Sequence, residues 1–408
     1  MVFSSSLLLV RRTNTVIFIK KECKNIMPTN HTCKYFGKCG GCQTPNLTYE
    51  EQLSMKMRKM ISAVGKRCRV DEIVAMSDPT HYRTKIQAAF MRMGDCVQCG
   101  IYQSGSGRVI PAKSCLLEDE AAQKIRRTVE KLAHSLSLTV YNPKNGRGLL
   151  RHVMIRTSRA TGQAMVVLVT GTAPFTKEEA FVSALTDAYP NVKTIVRSVN
   201  ETDIPLWLGG KQTVLFGDGF IEEQICGARF IVSPKAFLQV NPTQTEKLYS
   251  LAMEGAALTG RESVLDAYCG VGTMAIIAAK KAARVTGVEI VEDAVADARR
   301  NAALNGVKNA DFIAADAAEY MQKLARNKKS PDVVILDPPR AGCERKFLNA
   351  LIHLAPQRVV YVSCNPDTLG RDVNTLCKGG YKVQRVTPVD MFPFTTHIES
   401  VTVLTKEM

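Results

Sequence analysis

The chain has 408 residues, of which 45% are hydrophobic and 23% are charged, a balance typical of a folded globular protein with two or three domains. Its net charge of +16 is concentrated in residues 1–70 and predicts a polyanionic partner such as nucleic acid. No apolar run reaches the roughly 18 residues needed to cross a bilayer, so we expect no membrane segment. Thirteen cysteines, without the charge order of a signal peptide, indicate reduced thiols in a cytoplasmic protein.

The first half of the chain is predicted to contain an extension and two structured regions. Residues 1–30 are either a disordered tail or lie upstream of a true start at Met27. Residues 31–120 form a cysteine-bearing segment with a helix over Tyr49–Ala63 and two strands after it. Residues 121–235 are predicted to be a β-rich α+β domain, in which alternating His152–Thr157 and Gln163–Thr170 form a hairpin.

The second half, residues 236–408, has a different pattern, because short apolar strands alternate there with helical stretches. This alternation predicts a doubly wound, Rossmann-like α/β domain whose ligands bind outside the carboxyl ends of the strands. The predicted strands are Ser263–Asp266, Arg284–Glu289, Asp311–Ala314, Val333–Leu336, Arg358–Val362 and Ile398–Leu404.

A candidate cofactor site follows the first of these strands, where a glycine turn leads into a helix predicted over Met274–Lys281. Glycine turns are common, but acidic residues also end the next two strands, where Glu289 is placed for ribose hydroxyls and Asp316 for an adenine amino group. The loop lacks the third glycine of a dinucleotide oxidoreductase. The spacing resembles the S-adenosylmethionine-binding half of class I methyltransferases. This resemblance makes three residues of the turn candidate cofactor contacts, namely Tyr268, Gly270 and Thr273.

Candidate reactive residues stand at three further strand ends. Asp337 ends a strand before two prolines that fix the backbone, in Asp-Pro-Pro-Arg. Cys364 ends the next strand in Ser-Cys-Asn-Pro, a position that favours a nucleophile over a buried apolar cysteine. Glu399 stands at the start of the C-terminal strand and supplies a carboxylate to the same region.

The N-terminal cysteines form a compact, glycine-rich group that suits a metal or an iron–sulfur cluster, which needs four cysteine ligands. Cys33, Cys39 and Cys42 belong to this group. Chemistry alone leaves the rest of the set open, because Cys96 and Cys99 would complete a zinc site with Cys39 and Cys42, whereas Cys115 would complete a set of four with the compact group.

From residue 31 to the C-terminus, four motifs in order resemble the RNA uracil-5-methyltransferase family, which includes the tRNA thymine-54 enzyme and the bacterial 23S rRNA uridine methyltransferases. They are Phe237–Pro242, Asp337–Arg340, Ser363–Pro366 and the segment around Glu399. The resemblance implies a C-terminal class I domain that uses S-adenosylmethionine. It also implies Cys364 as the nucleophile, Glu399 as the base, and Gln239 and Asp337 beside the target base and the cofactor methyl group.

The resemblance further implies a four-iron four-sulfur cluster held by Cys33, Cys39, Cys42 and Cys115. Because the tRNA thymine-54 enzymes generally lack these cysteines, we expect 23S rRNA as the RNA partner of a monomeric enzyme. Only 32 residues precede Cys33, so the small RNA-binding β-barrel of many relatives is expected to be absent. The alternatives are a tRNA uridine-54 or RNA cytosine-5 methyltransferase, or a non-catalytic metal-containing RNA-binding protein.

Overall fold

The structure is a computed structural model that describes residues 33–65, 67–202 and 208–407, so the predicted extension over residues 1–30 lies outside it. Two seven-stranded sheets form its framework. The first sheet has the spatial order β3-β2-β1-β4-β5-β6-β7 and is antiparallel except between β5 and β6. Its strands are β1 (Lys85–Met93), β2 (Cys96–Tyr102), β3 (Val109–Ile110), β4 (Leu150–Thr157), β5 (Ala164–Thr170), β6 (Val192–Val199) and β7 (Lys211–Gly217).

Strands from both predicted N-terminal regions pair within this first sheet, because β1 lies beside β4. The predicted hairpin is confirmed as the antiparallel pair of β4 and β5. Two helices, α2 (Glu120–Ser135) and α3 (Glu178–Ala188), share an apolar core with one face of the sheet. The other face contributes Met154 and Val167 to the core of the C-terminal half.

The second sheet has the order β12-β11-β10-β13-β14-β16-β15 and confirms the Rossmann-like prediction. Strands β10 to β14 are parallel, and β16 is antiparallel to both of its neighbours. The strands are β10 (Ser263–Ala267), β11 (Arg284–Glu289), β12 (Ala310–Ala314), β13 (Val333–Leu336), β14 (Arg358–Ser363), β15 (Tyr381–Val389) and β16 (Glu399–Lys406), and a separate hairpin, β8 (Ile221–Ile225) and β9 (Ala228–Val232), precedes them.

All six predicted strands of the C-terminal half are present, and the edge strand β15 is additional to them. The helix predicted over Met274–Lys281 is observed as α5, one residue earlier at its start and two at its end. The helices of this half are α4 (Pro242–Ala256), α5 (Thr273–Ala279), α6 (Glu292–Leu304), α7 (Ala317–Arg326), α8 (Arg345–Leu354) and α9 (Pro366–Lys378).

The cysteine-bearing segment is joined to the C-terminal half through helix α1 (Tyr49–Val64), which confirms the helix predicted over Tyr49–Ala63. It begins at a capping box in which Thr48 and Glu51 satisfy each other's backbone N–H groups. Met60 and Val64 enter the apolar core beneath α9, and the chain after the helix runs beside β15. None of the helices in the described part of the chain is long and apolar enough to span a membrane.

Candidate active site

The predicted reactive residues Asp337, Cys364 and Glu399 meet at the carboxyl edge of the second sheet. Asp337 follows β13 and Cys364 follows β14, and these strands are parallel neighbours. Glu399 arrives from the other direction, because β16 is antiparallel to β14 with Ser363 opposite Ser400. The pairing therefore places the first residue of β16 beside the end of β14, where the cysteine stands.

The Cys364 thiol is half-buried, and the charged groups around it shift its pKa in opposite directions. Burial raises its pKa to about 11, and the carboxylates of Glu399 and Asp337 contribute to the increase. The nearby guanidinium of Arg340 acts in the opposite sense and favours the thiolate. A cationic neighbour is the usual means of activating such a nucleophile.

Both carboxylates of this site have raised pKa values. Glu399 is only 3% exposed, and its Oε2 atom has no hydrogen-bond partner among the described residues. Burial, followed by the charge of Asp337, raises its pKa well above the ordinary value. Burial also raises the pKa of Asp337 to about 7. Carboxyl groups whose pKa is raised in this way are suited to proton transfer near neutral pH.

Asn365 connects the cysteine strand to the loop that carries Arg340. Its side-chain amide donates to the Arg340 carbonyl at 2.9 Å, while its Oδ1 accepts from Asp367 N at 3.2 Å and caps α9. Pro366 occupies the first turn of that helix, where a missing N–H group costs nothing. The Ser-Cys-Asn-Pro motif therefore ends a strand, starts a helix and holds the adjacent Asp-Pro-Pro-Arg loop.

The turn after β10 has three residues with positive φ, two of them glycines, which lets the backbone approach a ligand closely. Gly270 and Gly272 have φ values of 53° and 84°, and Tyr268, which is not a glycine, has a φ of 92°. Asp266 is fully buried nearby, and its carboxylate oxygens make no hydrogen bond of good geometry within the described chain, although the backbone N–H of Ala275 lies close enough to lower its pKa. Burial, then the charge of Asp337, raises its pKa to about 7. A buried carboxylate with so few donors around it fits a ligand that brings donors.

Two acidic strand ends lie where the sequence predicts them. Glu289 ends β11 and accepts hydrogen bonds from Gly270 N and Val291 N. Asp316 follows β12 and accepts from Glu319 N at 2.9 Å, so it also serves as the N-cap of α7. Thr273 is the first residue of α5, directly after the glycine turn.

Two exposed apolar side chains lie near these residues and are not among the predicted site residues. Ile290 is 66% exposed directly after Glu289, and Phe237 is 70% exposed two residues before the half-buried Gln239. The sequence signal was present, since an apolar residue follows the acidic strand end and an aromatic residue precedes the glutamine. Their exposure depends on the surrounding fold and is visible only in the structure.

The four predicted cluster cysteines line one cavity of about 400 Å³. Burial raises the pKa of Cys42 to about 12, and Cys115, Cys39 and Cys33 each contribute through their charge. The thiols are therefore close enough to interact. In residues 33–65, 67–202 and 208–407, no group of three or more His, Cys, Asp or Glu side chains is arranged so that it could hold a metal ion.

The zinc alternative finds no support in the arrangement of β2. Cys99 is buried in the core between the first sheet and α2, whereas Cys96 is exposed at the start of the strand. Neither residue lines the cavity that contains Cys39 and Cys42. Cys96 and Cys99 are strand residues, and the structure does not bring them to the compact cysteine group.

Comparisons with known proteins relate this chain to RNA methyltransferases. A family model described as tRNA (uracil-5-)-methyltransferase matches residues 209–407. The chain is 38% identical over 395 residues to a protein named as an uncharacterized RNA methyltransferase of Oceanobacillus iheyensis, covering 95% of this chain and 85% of the relative. A similarly named protein of Halalkalibacterium halodurans is 41% identical over 377 residues, with 91% and 82% covered.

Among solved structures, the Pyrococcus abyssi tRNA (uracil-54, C5)-methyltransferase in complex with S-adenosyl-L-homocysteine has the same architecture. The TM-score is 0.75 at 27% sequence identity, and the match covers 90% of this chain and 86% of that chain. The similarity therefore extends beyond the C-terminal sheet to most of the N-terminal half.

Proposed function

The chain belongs to the RNA uracil-5-methyltransferase family and is an S-adenosylmethionine-dependent RNA methyltransferase, and we propose that it methylates carbon 5 of a uridine in 23S rRNA through a covalent cysteine–uracil intermediate. The observation that carries this proposal is the convergence of Cys364, Asp337 and Glu399 at one sheet edge. A nucleophile and a buried base at one edge of the sheet are what the reaction requires.

The proposed chemistry follows from the electronic structure of uracil, whose carbon 5 is too weakly nucleophilic to accept a methyl group unaided. The Cys364 thiolate adds to carbon 6, which breaks the carbon 5–carbon 6 double bond and moves its electrons into an enolate. S-adenosylmethionine would supply an electrophilic methyl group on its sulfonium. As carbon 5 bonds to that methyl group, the methyl–sulfur bond would break and S-adenosylhomocysteine would leave with the electron pair. Glu399 removes the carbon 5 proton, the double bond re-forms, and the carbon–sulfur bond to Cys364 breaks.

The charged side chains around Cys364 determine how readily its thiol ionises to the thiolate. Two carboxylates oppose ionisation of the thiol in the free protein, and Arg340 favours it. Arg340 is exposed and donates toward His397 Nδ1 at 3.3 Å, so its guanidinium is held at the mouth of the site. We propose that Arg340 stabilises the thiolate as the base enters, while Asp337 and Gln239 hold the polar edge of the uracil.

The residues around the glycine turn fit the cofactor. The buried carboxylate of Asp266 and the strained backbone at Tyr268 support a ligand site in this region. We propose that Glu289 accepts from the ribose hydroxyls, as acidic residues do at this strand end. Asp316 would accept from the adenine amino group. The candidate cofactor contacts are Gln239, Tyr268, Gly270, Thr273, Glu289, Asp316 and Asp337.

The two exposed apolar residues also fit this proposal. Ile290 would cover a face of the adenine, which explains why a large apolar side chain is exposed there. Phe237 would stack on a base of the RNA, because aromatic side chains bind unpaired bases through their faces.

The four cavity cysteines fit a four-iron four-sulfur cluster, which we propose as a second cofactor. The four cysteines line one cavity, and a donor set made only of sulfur is what such a cluster uses. A Cys39→Ser variant should lose iron and sulfide relative to the wild type after anaerobic purification, whereas Cys96→Ser should keep both. Zinc in place of iron, or equal iron in both variants, would rule the cluster out.

Transfer of labelled methyl groups to defined RNAs tests the reaction and its substrate. With unmodified 23S rRNA and unmodified tRNA transcripts, we expect 5-methyluridine in the digested 23S rRNA and none in tRNA. Cys364→Ala should abolish the product, and Cys377→Ala, which alters another half-buried cysteine, should not. Methylation of tRNA would redirect the substrate assignment, 5-methylcytidine would favour the cytosine-5 alternative, and the absence of any methylated base would favour a binding protein.

A further inference from the structure

The loop that leads into Glu399 has a strained backbone. We define the base loop as residues 390–398, which connect β15 to β16. Phe394 lies at its centre with a φ of 64°, a left-handed conformation that is disfavoured for an aromatic residue, and it is 2% exposed. A strained residue keeps its conformation only when the surrounding structure holds it.

Helix α1 and the cysteine segment hold both backbone polar groups of Phe394. The Oε1 atom of Gln52, a fully buried residue, accepts a hydrogen bond from Phe394 N at 2.7 Å. The Phe394 carbonyl accepts from Gln43 N and Thr44 N, each at 3.1 Å. Gln52 is itself fixed, because its Nε2 donates to Leu47 O at 3.0 Å. The conformation of Phe394 is therefore imposed from a distant part of the sequence.

Lys56 holds the same loop one helical turn further along α1. Its Nζ donates to Asp390 Oδ1 at 2.5 Å and to Phe392 O at 2.9 Å, and neither charged side chain is exposed. Residues four apart lie on the same face of a helix, so Gln52 and Lys56 form one polar strip against the base loop. Residues 390, 392 and 394 are all bound by this strip.

The burial of this strip gives it a positional role. A buried ammonium and a buried amide lose their hydration, and this loss is offset only when the loop presents their partners at the right places. Apolar residues would fill the same space without that requirement. The strip therefore selects one path for the base loop, and this path ends at the buried carboxylate of Glu399.

We propose that Gln52 and Lys56 are positioning residues for Glu399, which they direct toward the proton on carbon 5 through the base loop. This inference rests on the proposed function of Glu399 as the base. A displaced carboxylate slows proton removal and elimination, whereas the addition of Cys364 and the transfer of the methyl group do not require it. The loss should therefore appear at one step of the reaction.

The test compares Gln52→Met with Gln163→Met, using labelled S-adenosylmethionine and an unmodified 23S rRNA transcript. Gln163 is a matched control, since its Oε1 also accepts from a backbone N–H group, that of Glu222 at 2.8 Å, away from the base loop. For Gln52→Met we expect turnover to fall about 10- to 100-fold, as misplaced catalytic groups do. First-turnover methylation should persist, and a methylated protein–RNA adduct should accumulate on denaturing gels.

Gln163→Met should turn over normally and form no adduct. Gln52→Asn stays polar but is too short to reach Phe394 N, so it should also lose turnover and accumulate the adduct. It provides the same measurement if Gln52→Met does not fold. Normal turnover, or equal loss of first-turnover methylation and turnover without an adduct, would overturn the positioning role. Glu399→Gln is run in parallel. If Glu399→Gln forms the adduct and the Gln52 variants do not, the positioning role alone is overturned. If Glu399→Gln forms no adduct, the proposed role of Glu399 as the base is overturned.

Discussion

Glu289 Oε2 accepts a hydrogen bond from the backbone N–H of Gly270 at 3.1 Å, so the acidic end of β11 holds the glycine turn that follows β10. The other carboxylate oxygen accepts from Val291 N at 3.0 Å. One side chain therefore orders two segments on either side of the proposed ribose site. Both oxygens retain further lone pairs that can accept from hydroxyl groups.

Glu289→Ala should weaken S-adenosylmethionine binding by about 1–3 kcal/mol, because the ribose hydroxyls lose their acceptor and the turn loses its anchor. Glu289→Gln should lose less binding free energy, since one acceptor oxygen remains. Isothermal titration calorimetry measures both affinities. Glu292→Ala, at an exposed position in the first turn of α6, is the control and should bind as the wild type does. Wild-type affinity in Glu289→Ala would remove Glu289 from the cofactor site.

The pKa of Cys364 should respond to each neighbouring charge with a defined sign. Asp337→Asn should lower it from its value of about 11, because a negative charge beside the thiolate is removed, while Arg340→Ala should raise it further. The pH dependence of iodoacetamide labelling, read by mass spectrometry of the Cys364 peptide, measures the shifts. Cys377 provides an internal reference within the same samples. Opposite shifts, or none, would contradict the arrangement of charges around the thiol.

Glu399→Gln should stop the reaction after methyl transfer, because glutamine keeps the shape of glutamate but is far too weak a base. A covalent protein–RNA adduct that contains the transferred methyl group should accumulate and survive denaturing electrophoresis. The double variant Cys364→Ala with Glu399→Gln should form no adduct, since no thiol is present to bond to carbon 6. Full turnover of Glu399→Gln would exclude Glu399 as the base.

Lys56→Met should lower the free energy of unfolding by about 3–5 kcal/mol, because it leaves the charge of Asp390 buried and unpaired. Lys59→Met is the matched control on the same helix. Lys59 lies 3.9 Å from Asp367 with side-chain exposures of 47% and 74%, so its loss should cost less than about 1 kcal/mol. Urea unfolding measures the loss of unfolding free energy in each variant, provided that the m values are unchanged. Equal small losses would show that the buried pair is not important for stability.

The Rossmann-like half and the strand-end positions of most of its candidate residues were predictable from the sequence. Apolar strands that alternate with helices give a parallel sheet, and the carboxyl ends of such strands share one edge, so Asp337 and Cys364 were predictable neighbours. Strand β15 was less predictable, because it contains Pro388, which cannot donate to a neighbouring strand and is tolerated mainly at a sheet edge. Its position beside β16 is a tertiary property.

The way in which the N-terminal segment meets the active site was not predictable, because it depends on long-range packing. Lys56 looks in the sequence like any solvated lysine, and it is buried because Asp390, 334 residues away along the chain, supplies its counter-charge. Gln52 likewise acquires its role from Phe394, 342 residues away. Local patterns encode periodicity and turns, whereas these contacts depend on how separate elements pack. The position of four cysteine side chains around one cavity likewise depends on how separate elements pack.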